Sequence, residues 1–137
     1  MSRWTYVTGC ILIDTMEEKE DIKAYVEKML KDAPKITGSE QDVDIFINPL
    51  SGYNVSTMEV KGDTVECKDY QTCAAITLVG SLRDREIKDT QKELEDFIEF
   101  VDGTFCINNM GLNLSNGYKN INIFFDNDTD SIKFEEK

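Results

Sequence analysis

The chain has 137 residues, 27 acidic and 15 basic, for a net charge of −12, and 40% of it is apolar. This suits one domain with an ordinary core, and no apolar run is long enough to span a bilayer. The chain contains no histidine, which excludes Ser-His-Asp, Cys-His and histidine-ligated metal chemistry.

An acidic balance of this size also disfavours direct nucleic-acid binding, which needs a basic face to displace counterions. Binding is therefore expected over turnover: no enzyme activity, no metal site and no cofactor. Cys10, Cys67, Cys73 and Cys106 form no C-x-x-C pair and fall mainly in apparent strands. Met1-Ser2-Arg3-Trp4 lacks the features of a secretory signal, so the thiols read as buried and reduced in a cytosol. The Asn-x-Ser/Thr matches at Asn54, Asn113 and Asn127 then carry no meaning.

Trp4 to Asp14 is expected to be a strand, with Val7, Ile11 and Ile13 on one face and Trp4, Tyr6, Cys10 and Leu12 on the other. Gly9 marks a bulge or a close backbone approach. Thr15-Met16-Glu17-Glu18 matches a capping box, and the helix after it carries Ile22, Tyr25, Val26, Met29, Leu30 and Ala33 before Pro34 stops it. Its acidic first turn reads as a solvated face that complements the helix dipole. Gly38-Ser39-Glu40 is a turn. Val43 to Asn48 is a strand ended by Pro49. Residues 49–72 read as a long hairpin arm or two short edge strands, with turn signals at Ser51-Gly52 and Gly62-Asp63.

Cys73 to Val79 is a third strand. Ile87, Gln91, Leu94, Phe97, Ile98 and Val101 form the inward stripe of a second helix, which Gly103 stops. Thr104–Leu114 and Lys119–Asp126 form a last hairpin around Asn116-Gly117. From Asn127 the tail is polar and expected to fray, with Ile132 and Phe134 able to dock. Asp126 to Ser131 opens like a calcium loop, but Ser131 stands where glycine is required and Lys137 where the bidentate glutamate should be.

This order gives a single α+β domain over 1–137. It matches the ferredoxin-like split βαβ pattern, an antiparallel sheet with two helices on one face, plus an extra C-terminal strand and a long arm between the second and third strands. That topology gathers separate segments at one edge: the chain start, the 38–40 turn and Gly80-Ser81-Leu82-Arg83-Asp84-Arg85 at the second helix start. All three arginines, Arg3, Arg83 and Arg85, are expected there.

Arg3, Trp4, Ser39, Glu40, Ser81, Arg83, Asp84 and Arg85 are thus the candidate ligand-binding residues. Guanidinium forks and a helix start suit phosphate, Trp4 offers a platform, and Glu40 could accept from a ribose hydroxyl or a base amine. The plainer reading has Asp84 or Ser81 capping the helix, Arg83 pairing with Glu40, and Arg3 as a surface residue.

The motifs Trp4-Thr5-Tyr6-Val7-Thr8-Gly9, Gly38-Ser39-Glu40 and Val79-Gly80-Ser81-Leu82-Arg83-Asp84 resemble an uncharacterised family of small phage and prophage proteins. The resemblance spans about the first hundred residues. The chain departs from it at Tyr6, where a histidine is frequent, in the 49–72 arm and in the Asn-rich last hairpin. The resemblance implies a protein of the host cytoplasm made during infection, an accessory or counter-defence factor.

The expected function is a non-enzymatic counter-defence protein, a homo-oligomer that binds and sequesters an anionic nucleotide signal such as a cyclic oligonucleotide or an ADP-ribose derivative. The alternative is an acidic, nucleic-acid-mimicking inhibitor of a host defence protein such as a nuclease. Neither reading involves direct nucleic-acid or membrane binding. An enzyme such as a phosphodiesterase is the least favoured.

Overall fold

Strand β1 (Trp4–Thr15) lies inside a six-stranded antiparallel sheet and is bonded on both sides. One neighbour is β3 (Asp63–Arg83), which in turn pairs with β2 (Asp44–Val60). The other is β4 (Cys106–Ser115), followed by β5 (Asn120–Asp126) and β6 (Ser131–Glu136). The order is β2-β3-β1-β4-β5-β6, with helices α1 (Lys19–Leu30) and α2 (Ile87–Thr104) completing an α+β fold. The computed structural model describes residues 3–15, 19–126 and 128–137.

One face of the sheet makes the core. Val7, Ile11 and Ile13 of β1 are fully buried, as are Ala74, Ile76, Leu78 and Leu82 of β3 and Leu114 of β4. They pack with Ile22 and Val26 of α1 and with Leu94, Phe97, Ile98 and Val101 of α2, so both helices cover the same face. The alternation read from β1 is therefore the one found. Trp4, Tyr6, Thr8 and Cys10 occupy the opposite, exposed face.

At Gly9 the strands close up. Its φ is +131°, and a Cβ there would stand 2.1 Å from the Gly111 carbonyl oxygen, so the residue marks a close backbone approach. The bulge lies further along, between Leu12 and Ile13, where β4 carries one extra residue.

Several boundaries differ from the sequence expectation. β2 runs through Pro49 to Val60, because β2 is an edge strand and one side of it needs no donor. Ser51-Gly52 is no turn; the ribbon reverses only at Lys61-Gly62, both at positive φ. α2 passes Gly103 and ends at Thr104, where the Phe105 N–H bonds the Val101 carbonyl at 2.8 Å with extended backbone. The stretch 131–136 is a strand of the sheet rather than a frayed end. The expected capping box falls on 16–18, outside the described residues.

Thr90 is fully buried on α2, and among the described residues its hydroxyl has no hydrogen-bond partner. Burying an unsatisfied hydroxyl costs about 1–3 kcal/mol. Thr90→Val should therefore raise stability by about 1 kcal/mol in denaturant unfolding. A loss of that size would show that the hydroxyl is bonded in solution.

Candidate functional site

The rim at the start of β1 is held together by backbone. The Asp84 N–H donates to the Arg3 carbonyl at 2.7 Å, and the Ser39 N–H donates to the Arg83 carbonyl at 3.1 Å. Asp84 sits at φ +58°, a left-handed conformation that aspartate tolerates better than most residues, and so turns β3 into α2. Gly38 lets the 38–40 turn press on β3: a Cβ there would lie 2.6 Å from the Gln41 carbonyl oxygen and 3.1 Å from the Leu82 Cα.

Two further contacts brace this end. The Thr5 hydroxyl donates to the Arg85 carbonyl at 3.0 Å. Glu93 of α2 accepts twice from Thr37, from its N–H at 2.7 Å and from its hydroxyl at 2.8 Å. A half-buried carboxylate with two donors makes strong, charge-assisted bonds, and these fix the loop that delivers Ser39 and Glu40.

The eight candidate residues do converge. Trp4 is paired in register with Arg83, and Tyr6 with Ser81. The Ser39 hydroxyl donates to Asp84 Oδ2 at 3.1 Å. The Ser81 carbonyl accepts from Gln41 Nε2 at 3.4 Å. The Asn116-Gly117 turn follows Ser115, the β4 partner of Tyr6, and so lies at the same end of the sheet.

The charges that arrive together also pair off. Arg3 Nη1 lies 2.6 Å from Glu86 Oε1, and Arg83 Nη1 is bonded to Glu40 Oε1 with Asp84 Oδ2 at 3.9 Å from its Nε. Arg85 donates to the Asp84 carbonyl at 3.0 Å, with no carboxylate in ion-pair range among the described residues. Two of the three guanidiniums thus meet carboxylates, Arg3 with Glu86 and Arg83 with Glu40 and Asp84. Lys88 adds a cation 3.6 Å from Glu86 Oε2, and Asp89 follows it in the first turn of α2.

The Arg83–Glu40 pairing is the plainer sequence reading. The capping part of that reading fails: the N-cap of α2 is Glu86, which makes no side-chain cap, and neither Asp84 nor Ser81 takes its place. Glu86 and Glu93 were not singled out from the sequence. Glu86 directly follows the Arg-Asp-Arg turn, which was a readable signal. Glu93 lies in an acidic helix where nothing local marks it.

Away from the rim, the outer face of the sheet is apolar on its β2-β3-β1 side, where Trp4, Tyr6, Phe46, Leu50 and Val79 are all exposed. Cys10 and Cys106 are exposed free thiols, whereas Cys73 is half-buried. Burial, and secondarily the Asp14 carboxylate beside it, pushes the Cys73 thiol pKa up. Among the described residues no group of three or more cysteine or acidic side chains is gathered as metal ligands would be, and no helix is long and apolar enough to cross a membrane.

No protein-family model, no curated protein and no solved structure matches the chain.

The two kinds of contact should separate in stability measurements. Glu93→Ala should cost about 1.5–3 kcal/mol, because it strips a half-buried donor pair of its acceptor. Arg83→Ala should cost less than about 1 kcal/mol, since its ion pair is exposed. Equal costs would mean that the rim pair, not the Thr37–Glu93 contact, holds this end of the fold.

Proposed function

We propose that the protein is a non-enzymatic, protein-directed inhibitor whose acidic surface imitates nucleic acid and occupies a basic partner such as a DNA-cleaving nuclease. The observation that carries this reading is where charge is cancelled and where it is not. At the rim, guanidinium and carboxylate groups balance. Along α2 they do not: the helix carries Asp89, Glu93, Glu95, Asp96, Glu99 and Asp102 against Lys88 and Lys92.

Lys92 is bonded to Asp96 at 3.0 Å, and α2 has no basic residue in its last turn. Glu99 and Asp102 are exposed there, at a helix end whose dipole already favours cations. A negative row on a rigid helix meets a basic nucleic-acid cleft with complementary charge. The family resemblance supplies the setting, a phage-encoded counter-defence factor of the host cytoplasm. The first four strands and both helices are read in this proposal as a ferredoxin-like split βαβ core, extended by β5 and β6.

A second reading, sequestration of an anionic nucleotide at the rim, has its own specific support. Arg85 lacks a carboxylate partner among the described residues, and the first turn of α2 has no side-chain cap. Both rim ion pairs are exposed, so a phosphate would displace the carboxylates at a cost of about 1 kcal/mol or less each. What weighs against it is the absence of any net positive field.

The test is cleavage of a labelled duplex by a panel of DNA-cleaving defence nucleases. Inhibition of a susceptible enzyme should fall about tenfold when salt is raised from about 50 to about 200 mM. Glu99→Lys with Asp102→Lys should weaken it by at least as much, and both lysines sit where the helix end stabilises them. Arg83→Ala and Arg85→Ala should leave it intact. Inhibition that survives the acidic reversals, or vanishes with the arginine variants, would overturn the proposal in favour of the rim.

A further inference from the structure

The C-terminal end of α2 borders a cavity of about 290 Å³. Its inner wall is apolar: Phe105 and Ile107 are buried, and Phe125 of β5 and Ile132 of β6 are half-buried. The Phe105 ring is held edge-on to Tyr25 of α1, with centroids 6.1 Å apart and planes at 81°. Asp102 from the last turn of α2 and Asp130 from the turn before β6 line the same cavity. Both are exposed, so they stand at its mouth. The exposed thiol of Cys106 lines it too.

This lining selects its occupant. Among the described residues neither Asp102 nor Asp130 has an ion-pair partner. The last turn of α2 carries no basic residue, and a helix C-terminus favours a cation. An anion is therefore repelled, and a neutral apolar guest takes the carboxylates out of water with nothing in exchange. Among the described residues no three cysteine or acidic side chains are placed to hold a metal ion. The guest that fits is an organic cation with an apolar stem. Guanidinium is planar, weakly hydrated and stacks on aromatic rings, whereas ammonium holds its water more tightly. Small-molecule pockets span roughly 300–1,000 Å³, so this cavity suits one side chain and is small for a nucleotide.

We propose that the cavity receives the side chain of an arginine on a partner protein. Its methylenes lie against Phe105, Phe125 and Ile132, and its guanidinium sits between Asp102 and Asp130. The basic partner proposed above is the source of that arginine, and the proposal rests on that reading for the source alone. The unbalanced acidic residues of α2 run as far as Asp102 and so lead to the site. The helix attracts positive charge in general, whereas the cavity anchors one arginine and tells it from other cations.

Alkylation of the purified chain by iodoacetamide, read cysteine by cysteine from peptide masses, tests this with N-acetylargininamide as the guest. At about 10 mM, some ten times the dissociation constant of about 1 mM expected for one small group, Cys106 should react at least about fivefold more slowly. Cys10, exposed on the outer face of the sheet, should react at its unaltered rate. N-acetylcitrullinamide, uncharged and of nearly the same shape, should protect neither thiol. Asp102→Asn with Asp130→Asn should abolish the protection. Both residues are exposed, and asparagine tolerates the left-handed backbone that Asp130 adopts at φ +53°, so the fold is kept.

An unprotected Cys106 would overturn the proposal. So would equal protection by the citrulline compound, or protection that persists in the double variant. No nuclease enters this measurement, so the two readings fail separately. Nuclease inhibition without Cys106 protection refutes only the cavity, and protection without inhibition refutes only the nuclease.

Discussion

The pairing of β1 on both of its edges is the constraint from which the rest of the molecule follows. β1 is flanked by β3 and β4, strands that are distant from it in sequence, so the chain must cross over the sheet twice, once through each helix. That requirement places α1 and α2 on one face and builds the core between them and β1, β3 and β4. It also brings the start of β1, the 38–40 turn and the end of β3 to one rim. The rim is a consequence of the strand order, closed by the Asp84–Arg3 and Ser39–Arg83 backbone bonds.

The same geometry decides the electrostatics. The rim that gathers Arg3, Arg83 and Arg85 also gathers three carboxylates: Asp84 and Glu86 alternate with the arginines in one turn, and Glu40 arrives on the 38–40 turn. Guanidinium groups that look isolated along an acidic sequence are accompanied once folded. The molecule then has three surfaces of different character: a balanced rim, an acidic helical side led by α2, and an outer sheet face with exposed aromatic and aliphatic side chains. Catalysis needs pKa values matched to a proton transfer. Cys73, the thiol whose pKa is raised by burial, is thereby made less nucleophilic at neutral pH, since the thiolate is the reactive form.

Much of this was legible in the sequence. Alternation along β1 and the helical stripe of α2 fixed which side chains are buried, since period and burial are the same fact seen twice. The meeting of the arginines followed from topology, and the arm at 49–72 was visible as turn residues between strand-like runs. What failed was local punctuation. Pro49 reads as a strand stop only if the strand is internal, and edge position is a tertiary property. Gly103 reads as a helix stop, yet helical backbone is open to it and the chain continues. The 131–136 strand was missed because polar Lys133, Glu135 and Glu136 suit an edge that keeps one side in solvent. The pairing of Glu86 and the hold of Glu93 on Thr37 depend on side-chain reach across elements, which no spacing rule encodes.

The central claim is that Glu86 and Glu40 pair with the Arg3 and Arg83 guanidinium groups and so compete with any anion at the rim. Calorimetry with inorganic pyrophosphate on the wild-type protein and on Glu40→Gln with Glu86→Gln tests it most directly. The account predicts no saturable heat from the wild type and binding once both carboxylates are neutralised. Saturable binding by the wild type, unchanged in the double variant, would contradict it.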